Sequence, residues 1–253
     1  MASTGAGPDS LHAAWAQGRA ARNGWLTLPD PHLAEMVAAR GVLDAVTLDL
    51  QHGLFDRTST AAAVRAVAGQ GVAPLVRLPA VDEALVGFVL DLGVRGVIAP
   101  MVNDVDTAAA LVAACRYPPR GRRSFGPVRT ALRPGDDPLA AADTVVALAM
   151  IETAPALDRA ADIAAVQGLD GLFVGPGDLG VALGIGPAQD REEPEIHDAF
   201  RRVLAACADA GGRAGVHATS ATYARARADD GFALVTTWAD APSIAASLDA
   251  TAR

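Results

Sequence analysis

Eight short apolar runs alternate with eight helical patterns along this chain, and that alternation leaves few folds open to it. The runs fall at residues 25–28, 45–50, 73–78, 96–100, 145–151, 172–174, 213–216 and 233–237. Several are near-continuous in apolar side chains rather than alternating, as parallel strands covered on both faces require. Helical patterns at 32–39, 60–68, 84–92, 107–115, 156–165, 195–210, 220–228 and 243–251 separate them. Strand and helix in turn predict an α/β chain closed into a single (β/α)8 TIM barrel, and 253 residues match the ~250 typical of that fold. An open doubly wound sheet is the lesser option, because no G-x-G-x-x-G opens a helix after a strand.

Two segments depart from the rhythm. Residues 1–22 read as a leader with a short helix over 11–21, which leaves 23–253 for the barrel. Residues 117–143 form a long irregular connection carrying Arg120, Arg122, Arg123, Arg129 and Arg133. Loops of that length are usually functional. Its arginines read either as a solvated basic patch or as a cover for an anionic substrate.

Composition then excludes whole classes of function. Half the residues are apolar and mean hydropathy is +0.25, yet no run approaches the ~18 residues of a membrane span. No charged n-region and apolar h-region open the chain, so a soluble cytoplasmic protein is expected. A formal charge of −8 argues against a nucleic-acid surface. Cys115 and Cys207 lack metal-like spacing and read as buried thiols in a reducing compartment. All 21 basic residues counted as Lys+Arg are arginine. Without lysine, Schiff-base chemistry through a side-chain amine is impossible.

The residues that carry chemistry lie where strands end. The run 145–151 leads into Glu152, and Gly171-Leu172-Phe173-Val174-Gly175-Pro176-Gly177 leads into Asp178. One strand–helix repeat separates the two acids, which puts them at equivalent ends of neighbouring strands, where barrel active sites form. Two carboxylates converging there suit a hard divalent cation, with positions left for water and substrate. The second strand ends in Asp49-Leu50-Gln51-His52. An imidazole three residues after an aspartate is a plausible proton-transfer pair, the acid fixing the tautomer, although a lone histidine is more often structural. Arg77 closes the third strand and needs an anionic partner: a loop acid in a salt bridge, or a substrate carboxylate or enolate oxygen. The glycines of Gly175-Pro176-Gly177-Asp178 make either a plain tight turn or an approach for a ligand to backbone N–H groups at a helix start.

Taken in order, Asp49-Leu50-Gln51-His52, Val76-Arg77, Leu90-Asp91-Leu92-Gly93, Pro100-Met101-Val102, Arg116-Tyr117-Pro118-Pro119, Ile151-Glu152-Thr153 and Gly171 to Gly184 resemble the metal-dependent 2-oxo acid aldolases. That family includes 4-hydroxy-2-oxoheptanedioate aldolase and 2-dehydro-3-deoxyglucarate aldolase, and the likeness covers roughly residues 23–250. The resemblance implies Glu152 and Asp178 as ligands of Mg2+, Mn2+ or Co2+, His52 with Asp49 as the base dyad, and Arg77 as the enolate stabiliser. It implies that backbone at Gly175, Pro176 and Gly177 holds a pyruvate carboxylate, that Trp25 lines the pocket, and that Arg123, in a Gly-x-Arg pattern, binds substrate. It further implies that Asp91 reaches a neighbouring subunit in a trimer or hexamer. The chain departs from the family at Leu50 and Gln51, where Gly-Glu is frequent, and at Met150, where Gln is common. The reading is a lyase that reversibly cleaves a 4-hydroxy-2-oxo acid into pyruvate, or a related 2-oxo acid, and an aldehyde. The alternatives are an acyl-CoA ester lyase on a related barrel and a catalytically silent barrel that only binds a metal or 2-oxo acid.

Overall fold

Strands buried on both faces leave no edge when they close on themselves, and these do. In the computed structural model, which describes residues 10–127, 129–130 and 137–251, eight strands pair in chain order and all run parallel. They are β1 (Ala21–Leu26), β2 (Ala45–Asp49), β3 (Ala73–Arg77), β4 (Gly96–Ala99), β5 (Val146–Ile151), β6 (Gly171–Val174), β7 (Arg213–Val216) and β8 (Leu234–Ala239), with β8 pairing back onto β1. The (β/α)8 expectation holds.

The helices are α1 (Ser10–Ala16), α2 (Pro31–Ala38), α3 (Arg57–Gly69), α4 (Glu83–Asp91), α5 (Val105–Cys115), α6 (Pro138–Asp143), α7 (Ala154–Asp158), α8 (Ala160–Ala164), α9 (Pro176–Ala182), α10 (Pro194–Ala210), α11 (Ala221–Asp229) and α12 (Asp240–Thr251). Asp30, Asp56, Asp82, Asp104 and Asp137 each cap a helix by accepting backbone N–H groups. Each such cap contributes about 1 kcal/mol and fixes where a chain leaving a strand turns into helix.

Two apolar shells hold the barrel together. Outside, the outward faces of the strands, through residues such as Val46, Leu48, Val76, Val97 and Val174, meet the helices, through residues such as Phe200 on α10. Inside, Ala21, Ala45, Ala73, Leu75, Ile98, Leu148, Met150 and Phe173 fill the barrel. A Cβ on Gly215 would lie 2.5 Å from the Phe173 ring, so the small residue on β7 makes room for the large one on β6. Helix α1 plugs the end at which the strands begin: Leu11 and Ala14 are fully buried, and Trp15 Nε1 donates to the Ala233 carbonyl at 2.7 Å.

Four elements differ from what the sequence predicts. Strand β1 starts at Ala21, inside the stretch assigned to the leader, because Arg22-Asn23-Gly24 gives no apolar signal. The helix expected over 11–21 ends at Ala16, with Gly18 at φ +72° behind it. A short helix, α6, stands within the connection read as irregular. The helix expected over 156–165 is two pieces that break at Arg159. Residues 1–9 and Arg133 lie outside the described residues.

One helix does not cover its barrel. In α12 only Asp240 is buried, and Ile244 and Leu248 stand exposed. Where an eighth covering helix would lie, between α2 and α11, there is an open groove of about 940 Å3 lined in part by Met36, Val42, Arg22, Arg40, Arg225 and Trp238.

Candidate active site

Side chains alternate between the two faces of a strand. The inward phase of β5 is Val146, Leu148 and Met150. One further step places Glu152 over the end of the barrel. The same phase carries Trp25 at the end of β1, Asp49 on β2 and Arg77 on β3. Below this layer, Asn23 joins Thr47 and Thr236 by hydrogen bonds at 3.0 and 3.2 Å, all three fully buried. On the side formed by β8, β1 and β2, a polar cluster therefore separates the active end from the apolar interior.

Asp49 is the hub. It pairs in register with Arg77 on the adjacent strand, and both of its oxygens take guanidinium N–H groups, Oδ1 from Nε at 2.9 Å and Oδ2 from Nη2. Oδ2 also accepts from Trp25 Nε1 at 3.2 Å, and Oδ1 from the backbone N–H groups of Gln51 and His52. Burial would raise its pKa, but Arg77 and these donors outweigh burial and hold the carboxyl below its ordinary range. Arg77 packs 5.0 Å over the Trp25 ring. The anion sought for Arg77 is thus a strand acid, not a loop acid. The Asp49–His52 dyad is corrected as well: Asp49 meets His52 through the backbone, and its carboxylate is engaged by Arg77 and Trp25 rather than by the imidazole. The His52 ring is exposed at the rim.

Glu152 is 2% exposed. Its Oε1 accepts the Met101 N–H at 2.6 Å, while Oε2 is buried with no partner. To present that N–H, Met101 adopts φ +55°, a left-handed conformation that costs a non-glycine residue about 1 kcal/mol. Burial first, and the like charge of Asp178 with it, raises the Glu152 pKa. Asp178 sits exposed in the first turn of α9, which Gly175 caps and Pro176 opens. A Cβ on Gly175 would come 3.0 Å from Glu152 Oε2, and one on Gly177 would come 2.8 Å from the Gln189 amide. An unpartnered buried carboxylate oxygen beside a second carboxylate is destabilising as it stands and fits a hard cation. Among the described residues no third His, Cys, Asp or Glu joins the pair.

His217 was missed from the sequence. It follows β7 in the inward phase of Gly215, one residue beyond the apolar run, so strand alternation was the signal available. Its ring meets Trp25 edge-on at 4.8 Å, and Nδ1 is buried without a partner. Burial first, and Arg77 next, lower its pKa to about 4. The ring is neutral at physiological pH.

Asp91 and Arg123 do not join this cluster. Barrel helices run back from strand ends to strand starts, so α4 and α5 finish at the end opposite Glu152. There Arg123 Nη2 donates to Asp91 Oδ1 at 2.7 Å and stacks 4.6 Å from the Tyr117 ring. Arg123 as a residue binding substrate in its own barrel is therefore a correction. Its neighbours in the connection are engaged likewise: Arg120 by Asp143, Arg122 by Glu83, Arg129 by the Leu92 carbonyl. They read neither as a free basic patch nor as a cover over the site. They stitch the connection to α4 and α6.

Residues 24–238 match the model of the HpcH/HpaI aldolase/citrate lyase family. A hydroxypyruvate/pyruvate aldolase of Rhizorhabdus wittichii is 41% identical over 240 residues, spanning 94% of this chain and 95% of that protein. A 4-hydroxy-2-oxovalerate aldolase of Rhodococcus jostii is 38% identical over 204 residues, 78% of each chain. The crystal structure of an HpcH/HpaI aldolase/citrate lyase family protein from Burkholderia cenocepacia superposes with a TM-score of 0.87 at 30% identity, covering 96% of this chain and 98% of that one.

Proposed function

We propose that this chain, which belongs to the HpcH/HpaI aldolase/citrate lyase family and is a carbon–carbon lyase, is a divalent-metal-dependent aldolase of 4-hydroxy-2-oxo acids. Its products are pyruvate, or a close 2-oxo acid, and an aldehyde. The name of the R. wittichii relative supplies two 2-oxo acids for that role, pyruvate and hydroxypyruvate.

The observation that carries the metal dependence is the unpartnered Oε2 of Glu152 beside Asp178. These two carboxylates would hold Mg2+, Mn2+ or Co2+. When bound, such a cation polarises the 2-oxo group and offsets negative charge developing there. The chain's own residues do the rest. The free N–H groups of Gly177 and Asp178 at the start of α9 face an incoming carboxylate, Pro176 having none to give. Arg77, fixed by Asp49 and Trp25, adds positive charge where the enolate forms. His52, free at the rim, takes the C4 hydroxyl proton directly or through a water. The C3–C4 bond then breaks, the aldehyde leaves, and the electron pair on the enolate collects a proton at C3.

A pyruvate-release assay tests this. EDTA abolishes cleavage and Mg2+, Mn2+ or Co2+ restores it, while Glu152→Ala and Asp178→Ala lose both metal and activity. His52→Ala lowers cleavage by about 100-fold. Arg77→Ala impairs exchange of the pyruvate methyl protons with solvent as well as cleavage. Full activity in metal-stripped enzyme would exclude the mechanism, since a chain without lysine has no Schiff base to fall back on.

The same reading includes a homo-oligomer, a trimer or a dimer of trimers. Support comes from α12 and the groove, each unsatisfied in one chain. Ile244 and Leu248 of a second copy would meet Met36 and Val42, and the groove's arginines would meet Asp249. Two free, buried thiols suit a reducing cytoplasm. No helix among the described residues is long and apolar enough to cross a membrane.

A further inference from the structure

The Glu152–Asp178 pair and Arg77 account for a carboxylate, a carbonyl and an enolate, groups that every 2-oxo acid shares. They do not distinguish one such acid from another. His217 stands at the same end of the barrel and has no task in that chemistry.

Its surroundings do not explain an imidazole. Trp25 packs against its ring, Trp25 in turn packs against Phe173 at 5.9 Å, and β7 beneath it carries only Gly215 and Val216. A phenylalanine would satisfy such a place. An imidazole there leaves Nδ1 buried with no hydrogen bond, an arrangement that costs stability unless something completes it. Nor is charge its purpose. The groups facing it are Trp25, Arg77, Asp49 and Asp190, and burial with Arg77 keeps the ring neutral. Nδ1 of a neutral imidazole carries either an N–H or a lone pair according to the tautomer, and a hydroxyl, which both donates and accepts, can serve either. The neutral ring gives nothing to a methyl group and does not offset a phosphate.

We propose that His217 selects the 2-oxo acid, its imidazole hydrogen-bonding a hydroxyl carried on the carbon next to the 2-oxo group. The preferred substrates are then 3-hydroxy-2-oxo acids, uncharged at that carbon, over 2-oxo acids with a bare methyl. This rests on the aldolase reading for the position of the substrate.

The test compares hydroxypyruvate with pyruvate, each with glycolaldehyde as acceptor and Mg2+ present, in wild-type enzyme, His217→Phe and His217→Asn. Phenylalanine keeps the packing on Trp25, and asparagine keeps a polar atom where Nδ1 stands. His217→Phe should lower kcat/KM for hydroxypyruvate by about 10-fold, the size of one neutral hydrogen bond, and change pyruvate by no more than about 3-fold. His217→Asn should recover part of the loss. An equal fall for both acids, or no fall for either, would overturn the proposal. Calorimetric binding of the same two acids to the Mg2+-loaded protein separates this inference from the reading it rests on. If the wild type does not turn over but binds hydroxypyruvate more tightly in a His217-dependent way, the aldolase reading fails and the selectivity stands. If it binds hydroxypyruvate no more tightly than pyruvate, the selectivity is refuted whatever the turnover.

Discussion

Strand β2 is bracketed by two aspartates, Asp44 just before it and Asp49 at its end, and the two solve one problem in opposite ways. Both are buried acids paired with arginine. Asp44 accepts from Arg19 Nη1 and Nη2, each at 2.7 Å, from Arg22 Nε at 3.3 Å and from the Arg22 backbone N–H at 2.9 Å, and its arginine side chains are 40% and 48% exposed. Its hydrogen bonds close on themselves and stop at water. Asp49 binds an arginine only 11% exposed, and from there the contacts continue through Trp25 to His217. That end is left with Gln51 Oε1, Glu152 Oε2 and His217 Nδ1, buried and unpaired. A charge pair built for folding finishes its own bonding. One built for chemistry holds its members still and leaves bonding capacity over for a ligand.

The sharpest way to break this contrast is to remove each acid. Asp49→Ala strands the Arg77 charge in the protein interior, and losing one partner of a buried pair costs about 3–5 kcal/mol. Catalytic activity should vanish with it. Asp44→Ala leaves Arg19 and Arg22 free to turn into solvent, so the loss is about 1–2 kcal/mol with activity per folded molecule unchanged. Urea unfolding monitored by circular dichroism gives both numbers. Equal losses would mean that the two ends differ in exposure but not in function.

Acid sharpens the contrast from another side. The His217 pKa falls from an ordinary 6.5 to about 4 on folding. Below 6.5 the unfolded chain takes up a proton there that the folded chain refuses, so this group favours folding fully above 6.5 and loses its contribution as pH falls toward 4. The span of 2.5 units corresponds to about 3 kcal/mol. Glu152, whose pKa is raised, pulls the other way through part of the same range, and the Asp49 contribution is lost only below its ordinary 3.8. The measurement is therefore a difference: stability against pH for wild type and for His217→Phe. The wild type should lose about 3 kcal/mol more between pH 7 and pH 4. Parallel curves would place His217 in contact with solvent and remove the reason for its neutrality.

How much of this was legible in the sequence follows from which residues carry a local signal. The barrel was readable because each of its eight strands overlaps an apolar run. In β1 that run catches only Trp25 and Leu26; the start of the strand hides behind the exposed Arg22 and the buried Asn23, whose partners on β2 and β8 no local window contains. Glu152 and Arg77 were readable as polar residues ending apolar strands. Asp49 was seen, but its partner was misassigned: the register that sets it beside Arg77 is a property of two strands, and the spacing to His52 is a property of one. His217 escaped because the apolar run ends a residue earlier, although the alternation from Gly215 carries through to it. Arg123 went wrong for a topological reason. Its loop follows a helix, and helices return the chain to the end of the barrel that the active site does not use.

The smallest effect tests that distant end. Asp91 and Arg123 form a pair there, the acid 30% exposed and the arginine 4%, and Arg123 Nε and the Tyr117 hydroxyl are buried without partners. Unfinished bonding of this kind marked the active end, and here it lies on a face that α4 and the long connection would present to a second copy. Asp91→Ala should leave the fold intact at a cost of about 1–3 kcal/mol, since the acid is partly exposed but its loss leaves the buried Arg123 without a carboxylate, and lower activity several-fold. A second variant keeps the two causes apart. Ile244→Asp with Leu248→Asp on α12 should turn the oligomer into monomers by light scattering while sparing each barrel, because neither side chain is buried in its own chain. If Asp91 acts across the interface, its substitution lowers activity in the oligomer and changes nothing in the α12 variant, whose activity is already down. If the α12 variant stays fully active as a monomer and Asp91→Ala still lowers activity there, Asp91 works within its own chain through the Arg123 loop, and the distant end is structural after all.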